Sequence, residues 1–243
     1  MLPPGWKTLH ARLMKFSGRL LLGAVCLLVG EGISRATLLA WEGEVLKGTI
    51  PVKTLFTTVS NGNPQVIDVG ALTGDRSFEF IYNAGIGGPS QALLGSQDPL
   101  SGRQGLKVDQ YLNTGMYGMT DFGVADYTSI VPYILNEDVD IVFTSDGIDT
   151  LMYVNGALAD TYSGVDLTIT GLNGIGGGDN ATHTGFFDVL AGDIFGFASY
   201  DAVLSPAEVA AHHTAFAAAV PEPTSAGLLA LGTLLAGVRR RRS

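Results

Sequence analysis

Between residues 37 and 219 apolar side chains alternate with polar ones in short runs, and turn-forming residues rich in glycine, asparagine and aspartate fall between the runs. A period of two belongs to strands and cannot line one face of a helix. Arg76–Tyr82 places Phe78, Phe80 and Tyr82 on one face, and Gly105–Leu112 does the same with Leu106, Val108 and Leu112. Val139–Thr144 and Asp193–Tyr200 continue the pattern. Turn punctuation separates the runs: Asn61-Gly62, Gly87-Gly88-Pro89, Asp146-Gly147, Asn155-Gly156 and Gly176-Gly177-Gly178-Asp179-Asn180. Asn155-Gly156, set between Leu151–Val154 and Ala157-Leu158, predicts a two-residue hairpin because both residues tolerate positive φ. Many short strands with glycine-rich turns predict an all-β chain folded as a two-sheet jelly-roll sandwich. One helix is specified as well. Ser205-Pro206-Ala207-Glu208 offers a capping serine, proline at the first helical position and glutamate three after the cap, so a short C-terminal helix should run from Pro206 to about Ala218.

The two ends have a different character. Lys15 and Arg19 precede the apolar run Leu20–Gly30, which is followed by small residues, the build of a secretory signal peptide. Residues 1–36 are read as that signal, cleaved after Ala36, with Met14 as an alternative start. Cys26 lies within the apolar run, so the exported body carries no cysteine and no thiol or disulfide chemistry. Residues 220–243 combine three parts: Pro221-Glu222-Pro223, an apolar run from Ala226 to Val238, and Arg239, Arg240, Arg241 and Arg242. As a helix that run would reach only about 20 Å, against a hydrocarbon core of about 30 Å. The four arginines would stay on the cytoplasmic side and leave Pro221–Pro223 on the outer face. The tripartite order resembles the PEP-CTERM sorting signal. That resemblance implies exosortase as a processing partner, transient insertion in the inner membrane, and delivery to the outer cell surface or extracellular matrix. A permanent tail anchor would want a longer apolar run.

Charge narrows the partners of the body. Residues 37–219 hold five Lys and Arg against 21 Asp and Glu, a formal charge of −16. Nucleic acid and anionic membrane surfaces are thereby excluded, and the charge suits a solvated extracellular domain or one that collects divalent cations.

Tyr153-Val154-Asn155-Gly156, a glycine-rich segment, and Gly192-Asp193-Ile194 leading through Tyr200 to Leu204-Ser205-Pro206-Ala207-Glu208 resemble the laminin-G-like, concanavalin-A-like jelly roll, over about residues 139–216. A Trp-His pair common in that family is replaced here by Tyr133–Asp138. The resemblance implies fold rather than activity. It also implies a Ca²⁺ site, for which Asp146, Asp149 and Asp179 are the candidate oxygen ligands, beside Asn180. Turn chemistry alone accounts for such residues in loops just as well.

Catalytic constellations are sparse. Related jelly rolls that cleave glucans carry three alternating carboxylates on one strand; Glu137-Asp138-Val139-Asp140 approaches this and lacks the closing carboxylate. On the helix His212 and His213 fall between Val209 and Phe216, one expected to pack on the sandwich and the other to face water. His183 stands alone in the glycine-rich loop, and Gly174–Gly178 has neither the lysine nor the helix of a phosphate loop. The expectation is an exported, non-catalytic binding or structural module whose partner is an extracellular polysaccharide or a matrix protein. The competing expectation is a glycoside hydrolase or lyase of the same fold.

Overall fold

The computed structural model describes residues 52–56, 59–72 and 74–219. The signal segment 1–36 and the tail, including Pro221, Glu222, Pro223 and Arg239 to Arg242, lie outside the described residues. Two six-stranded sheets account for most of what is described. In spatial order the first contains β1 (Val52–Phe56), β14 (Gly192–Tyr200), β3 (Arg76–Ala84), β8 (Val139–Ser145), β9 (Thr150–Val154) and β10 (Ala157–Tyr162). The second contains β2 (Gln65–Asp68), β11 (Leu172–Ile175), β4 (Gln91–Gly95), β5 (Gln104–Asp109), β6 (Met116–Asp121) and β7 (Ala125–Pro132). A two-stranded ribbon, β12 (Gly178–Asp179) with β13 (Phe186–Phe187), is bridged to Ser96 at the end of β4, and one helix, α1 (Pro206–Ala219), follows β14. Every pairing within the two large sheets is antiparallel. The predicted all-β jelly-roll sandwich with one short C-terminal helix is the architecture found.

Strand alternation builds the layer between the sheets. Phe78, Phe80 and Tyr82 of β3 and Ile141 and Phe143 of β8 face Leu106 and Val108 of β5 and Tyr117 and Met119 of β6. Phe197 packs on Phe80 with ring centroids 4.9 Å apart. The hydroxyls of Tyr82 and Tyr117 meet at 2.7 Å, a buried hydrogen bond that ties one sheet to the other and spares both groups an unpaired burial. Strict alternation would put Ile194, Gly196, Ala198 and Tyr200 on one face of β14. A bulge between Ile194 and Gly196 breaks that parity. Ile194 and Phe197 therefore both enter the core, and Ala198 and Tyr200 turn outward under the helix.

Leu112 departs from the sequence expectation. β5 ends at Asp109, whose carboxylate accepts the Gly115 N–H at 3.1 Å and closes the turn. Leu112 sits in that turn with φ of 73° and is 75% exposed.

A second apolar layer lies outside the first sheet. Val209 and Phe216 of α1 cover Ile81, Val142, Tyr153, Ala198 and Tyr200. The cap forms as predicted: Ser205 Oγ accepts the Glu208 N–H at 3.3 Å, and Glu208 Oε2 accepts the Ser205 N–H at 2.8 Å. Both histidines of the helix find acidic partners on the sheet, so neither is a purely solvated residue. His212 Nδ1 is 3.0 Å from Glu79 Oε2, and His213 Nδ1 is 3.4 Å from Asp140 Oδ2. The β3–β8 register pairs Ile81 with Asp140 and Glu79 with Val142, which turns both carboxylates toward the helix. Among the described residues no helix is long and apolar enough to cross a membrane.

Candidate functional site

Opposite the helix, the outer face of the second sheet carries an open cleft of about 490 Å³. Its floor follows from strand parity. Leu106, Val108 and Met119 point into the core, so Lys107 and Thr120 point out. Two glycines make room for aromatic rings above that face. A Cβ on Gly105 would stand 2.9 Å from the ring of Phe122, and a Cβ on Gly178 would stand 2.5 Å from the ring of Phe187. The two rings meet edge to face with centroids 5.3 Å apart. Tyr111, 57% exposed, lines the same cleft together with Asp121 and Asp126.

Lys107 is the electrostatic centre of this arrangement. It is only 1% exposed, which an ammonium tolerates only when its charge is matched. Its Nζ donates to Ser90 Oγ at 3.0 Å and pairs with the carboxylate of Asp188. It also lies 5.5 Å from the Phe122 centroid and 5.9 Å from that of Phe187, within cation–π range. Burial pushes the pKa of Lys107 down, while the hydrogen bond and charge of Asp188, with Asp126 further off, pull it back up. Nearer the opening, the Thr120 hydroxyl lies 2.8 Å from Asp126 Oδ1 and 3.1 Å from Gln110 Oε1, and its single proton serves one of them at a time. Hydroxyl-bearing ligands suit such a cleft, with carboxylates to accept their hydrogen bonds and an exposed ring on which to stack an apolar face.

The residues singled out from the sequence lie elsewhere. Asp146 and Asp149 share the β8–β9 turn. Asp146 Oδ1 accepts the N–H groups of Ile148 and Asp149, both at 3.0 Å, and these bonds hold its pKa below the usual carboxylate value. Asp149 Oδ1 accepts the Gly164 N–H at 2.7 Å. Asp179 belongs to β12, is fully buried, and engages His183 rather than that turn. His183 is therefore not alone: Asp179 first, and Asp98 at 3.4 Å second, raise its pKa. Among the described residues, no three His, Cys, Asp or Glu are grouped to hold a metal ion. The three aspartates named for calcium do not form one cage there. Of the would-be glycosidase strand, Asp138 accepts a hydrogen bond from Asn83 Nδ2 at 2.8 Å, and Asp140 is buried under α1.

Sequence reading passed over Lys107, Tyr111, Phe122, Phe187 and Asp188. One signal was available: Lys107 is the last lysine of the chain and stands between two core residues of a strand. Its partner Asp188 is 81 positions away, and nothing local announces the pairing.

No protein-family model and no curated protein matches the chain. Solved structures share its architecture. The heptameric SAP-like pentraxin from Limulus polyphemus superposes with a TM-score of 0.51 at 12% identity, over 67% of this chain and 82% of the pentraxin. The CBM40 module of the Ruminococcus gnavus IT-sialidase, solved with α2,3-sialyllactose bound, gives 0.49 at 19% identity, over 66% of this chain and 98% of the module. The NanB sialidase of Streptococcus pneumoniae gives 0.48 at 14% identity over 65% of this chain, which spans 28% of that enzyme. At 12% identity the likeness to the pentraxin is one of fold alone.

Proposed function

We propose that residues 37–219 form a non-catalytic glycan-binding module of an exported bacterial surface protein. One observation carries the reading: the open face of the second sheet holds a cleft that combines exposed Tyr111, the Phe122 and Phe187 rings, and the carboxylates of Asp121 and Asp126. Sugar rings pair an apolar face with hydroxyl edges, and this lining offers a surface to each. A glycan array on the exported chain, with and without Ca²⁺, tests it. The array should include sialyllactose, the ligand of the Ruminococcus module, alongside neutral oligosaccharides. Retention of a saccharide that weakens at least tenfold in Tyr111→Ala supports the reading. Failure of the folded protein to retain any saccharide removes it.

The address segments complete the proposal. Residues 1–36 direct export, and the tail is processed by an exosortase at Pro221–Pro223, with Arg239 to Arg242 holding it at the inner membrane until then. Surface material should lack the C-terminus, and deleting the four arginines should leave unprocessed or released protein. Mass spectrometry that finds surface material intact to Ser243 would count against the sorting role.

A further inference from the structure

We infer that Asp188 sets the ligand class of the cleft: by occupying Lys107 it makes the site one for uncharged or amine-bearing sugars and turns away carboxylated ones. The inference rests on the glycan reading above and deepens it. Recognition of a carboxylated sugar calls for a donor cation facing the ligand. Lys107 is the one cation among the lining residues, and its ammonium is already enclosed by Asp188, Ser90 and two aromatic rings. Arg103 lies close by, its guanidinium against Gly123 of the β6–β7 turn, and is not among the lining residues. What the cleft presents instead is Asp121, Asp126 and Asp188, three carboxylates against one ammonium. An incoming carboxylate meets like charge on the lining; a neutral hydroxyl or an ammonium does not.

Asp188 is placed independently of the lysine it pairs with. Its carbonyl accepts the Ala92 N–H at 2.8 Å, and its backbone holds φ of 49°. Asparagine tolerates that left-handed conformation, so Asp188→Asn removes the charge while leaving the backbone as it is. The exchange leaves the Lys107 ammonium without its matching charge, which an incoming carboxylate would then supply.

The test is calorimetric titration of the full chain with matched pairs: lactose against 3′-sialyllactose, and gluco-oligosaccharides against their glucuronic acid counterparts, with a glucosamine oligomer as the cationic member. The wild type should bind neutral or amine-bearing members at least tenfold more tightly than carboxylated ones. Asp188→Asn should narrow or reverse that ratio by tenfold or more, and adding Lys107→Met should cancel the gain. Thermal melts of each variant verify folding, and the ratio of two ligands on one variant is insensitive to partial loss of active protein. A wild type that prefers the carboxylated member, or an Asp188→Asn ratio that stays put, overturns the inference and leaves the glycan reading standing. Absence of binding to every saccharide overturns both.

Discussion

A methyl group added at position 105 or at position 95 probes two directly paired positions of β4 and β5, and the outcomes should differ because the obstacles differ. At Gly105 the nearest atom is the far end of the Phe122 side chain, which can swing away. Gly105→Ala is expected to cost about 1 kcal/mol, while moving the ring off Lys107 and weakening cleft ligands severalfold. At Gly95 the methyl meets backbone, with the Gln104 carbonyl oxygen and the Gly105 Cα both at 2.8 Å. Gly95→Ala should cost about 3 kcal/mol, since strands β4 and β5 must part to admit it. Urea unfolding of both variants, read beside ligand titration, separates the two. Equal losses of stability would mean that Phe122 is held as firmly as the backbone.

The helix α1 is fastened at its start by a cap and along its length by charge. Ser205→Ala removes the acceptor for the Glu208 N–H and should cost 0.5 to 2 kcal/mol, roughly, by thermal or urea melts. The second fastening depends on pH. Asp140 is pushed up to about 6 by burial above all, with the neighbouring Glu79 adding to the rise and the His213 and His212 imidazoles opposing it. Burial works against a charged His212, yet its bond to Glu79 and the charges of Glu79, Asp140 and Glu208 outweigh that and raise its pKa. Tyr200 completes the cluster from β14, donating to Glu79 Oε2 at 2.6 Å and stacking on His212. For both shifted groups the folded state binds its proton more tightly than the unfolded chain does. The stability contributed by Asp140 is full below about pH 4 and lost as pH rises through about 6; that of His212 is full below about 6.5 and lost above it. Helix docking should therefore loosen as pH climbs from 4 past 7. Asp140→Asn should flatten the lower half of that decline, which amounts to about 1.4 kcal/mol per pH unit where the single group titrates. Melts at closely spaced pH values decide it: parallel curves for wild type and variant would show that Asp140 does not titrate in this window.

At the scale of the molecule the charge of −16 on residues 37–219 opposes compaction, and divalent ions should relieve it. The carboxylates of Asp146 and Asp149 already accept backbone N–H groups, and Asp179 is held by His183. Nonspecific screening predicts that Ca²⁺ and Mg²⁺ at matched ionic strength raise the melting temperature alike. A rise selective for Ca²⁺ would instead argue for a specific site, because Mg²⁺ accepts irregular oxygen cages poorly. The strand runs around Phe78–Tyr82 and Val139–Phe143, the Asn155-Gly156 hairpin with φ of 49° and 77°, and the capped helix at Ser205 could all be read from residues alone. Each is set by neighbours within a few positions, through side-chain parity, tolerance of positive φ, or a serine and a glutamate three apart. The fold class followed from their number and spacing. The cleft did not. Lys107 meets Asp188 from 81 positions away, Phe122 settles on Gly105, and Glu79 meets His212 across 133 positions. Such meetings are produced by strand order, by the bulge in β14 that reverses its parity, and by crossovers between the sheets. No local run of residues encodes them, so the site came into being only when the β6–β7 turn and the β12–β13 ribbon settled over Gly105 and Lys107 on the outer face of the second sheet.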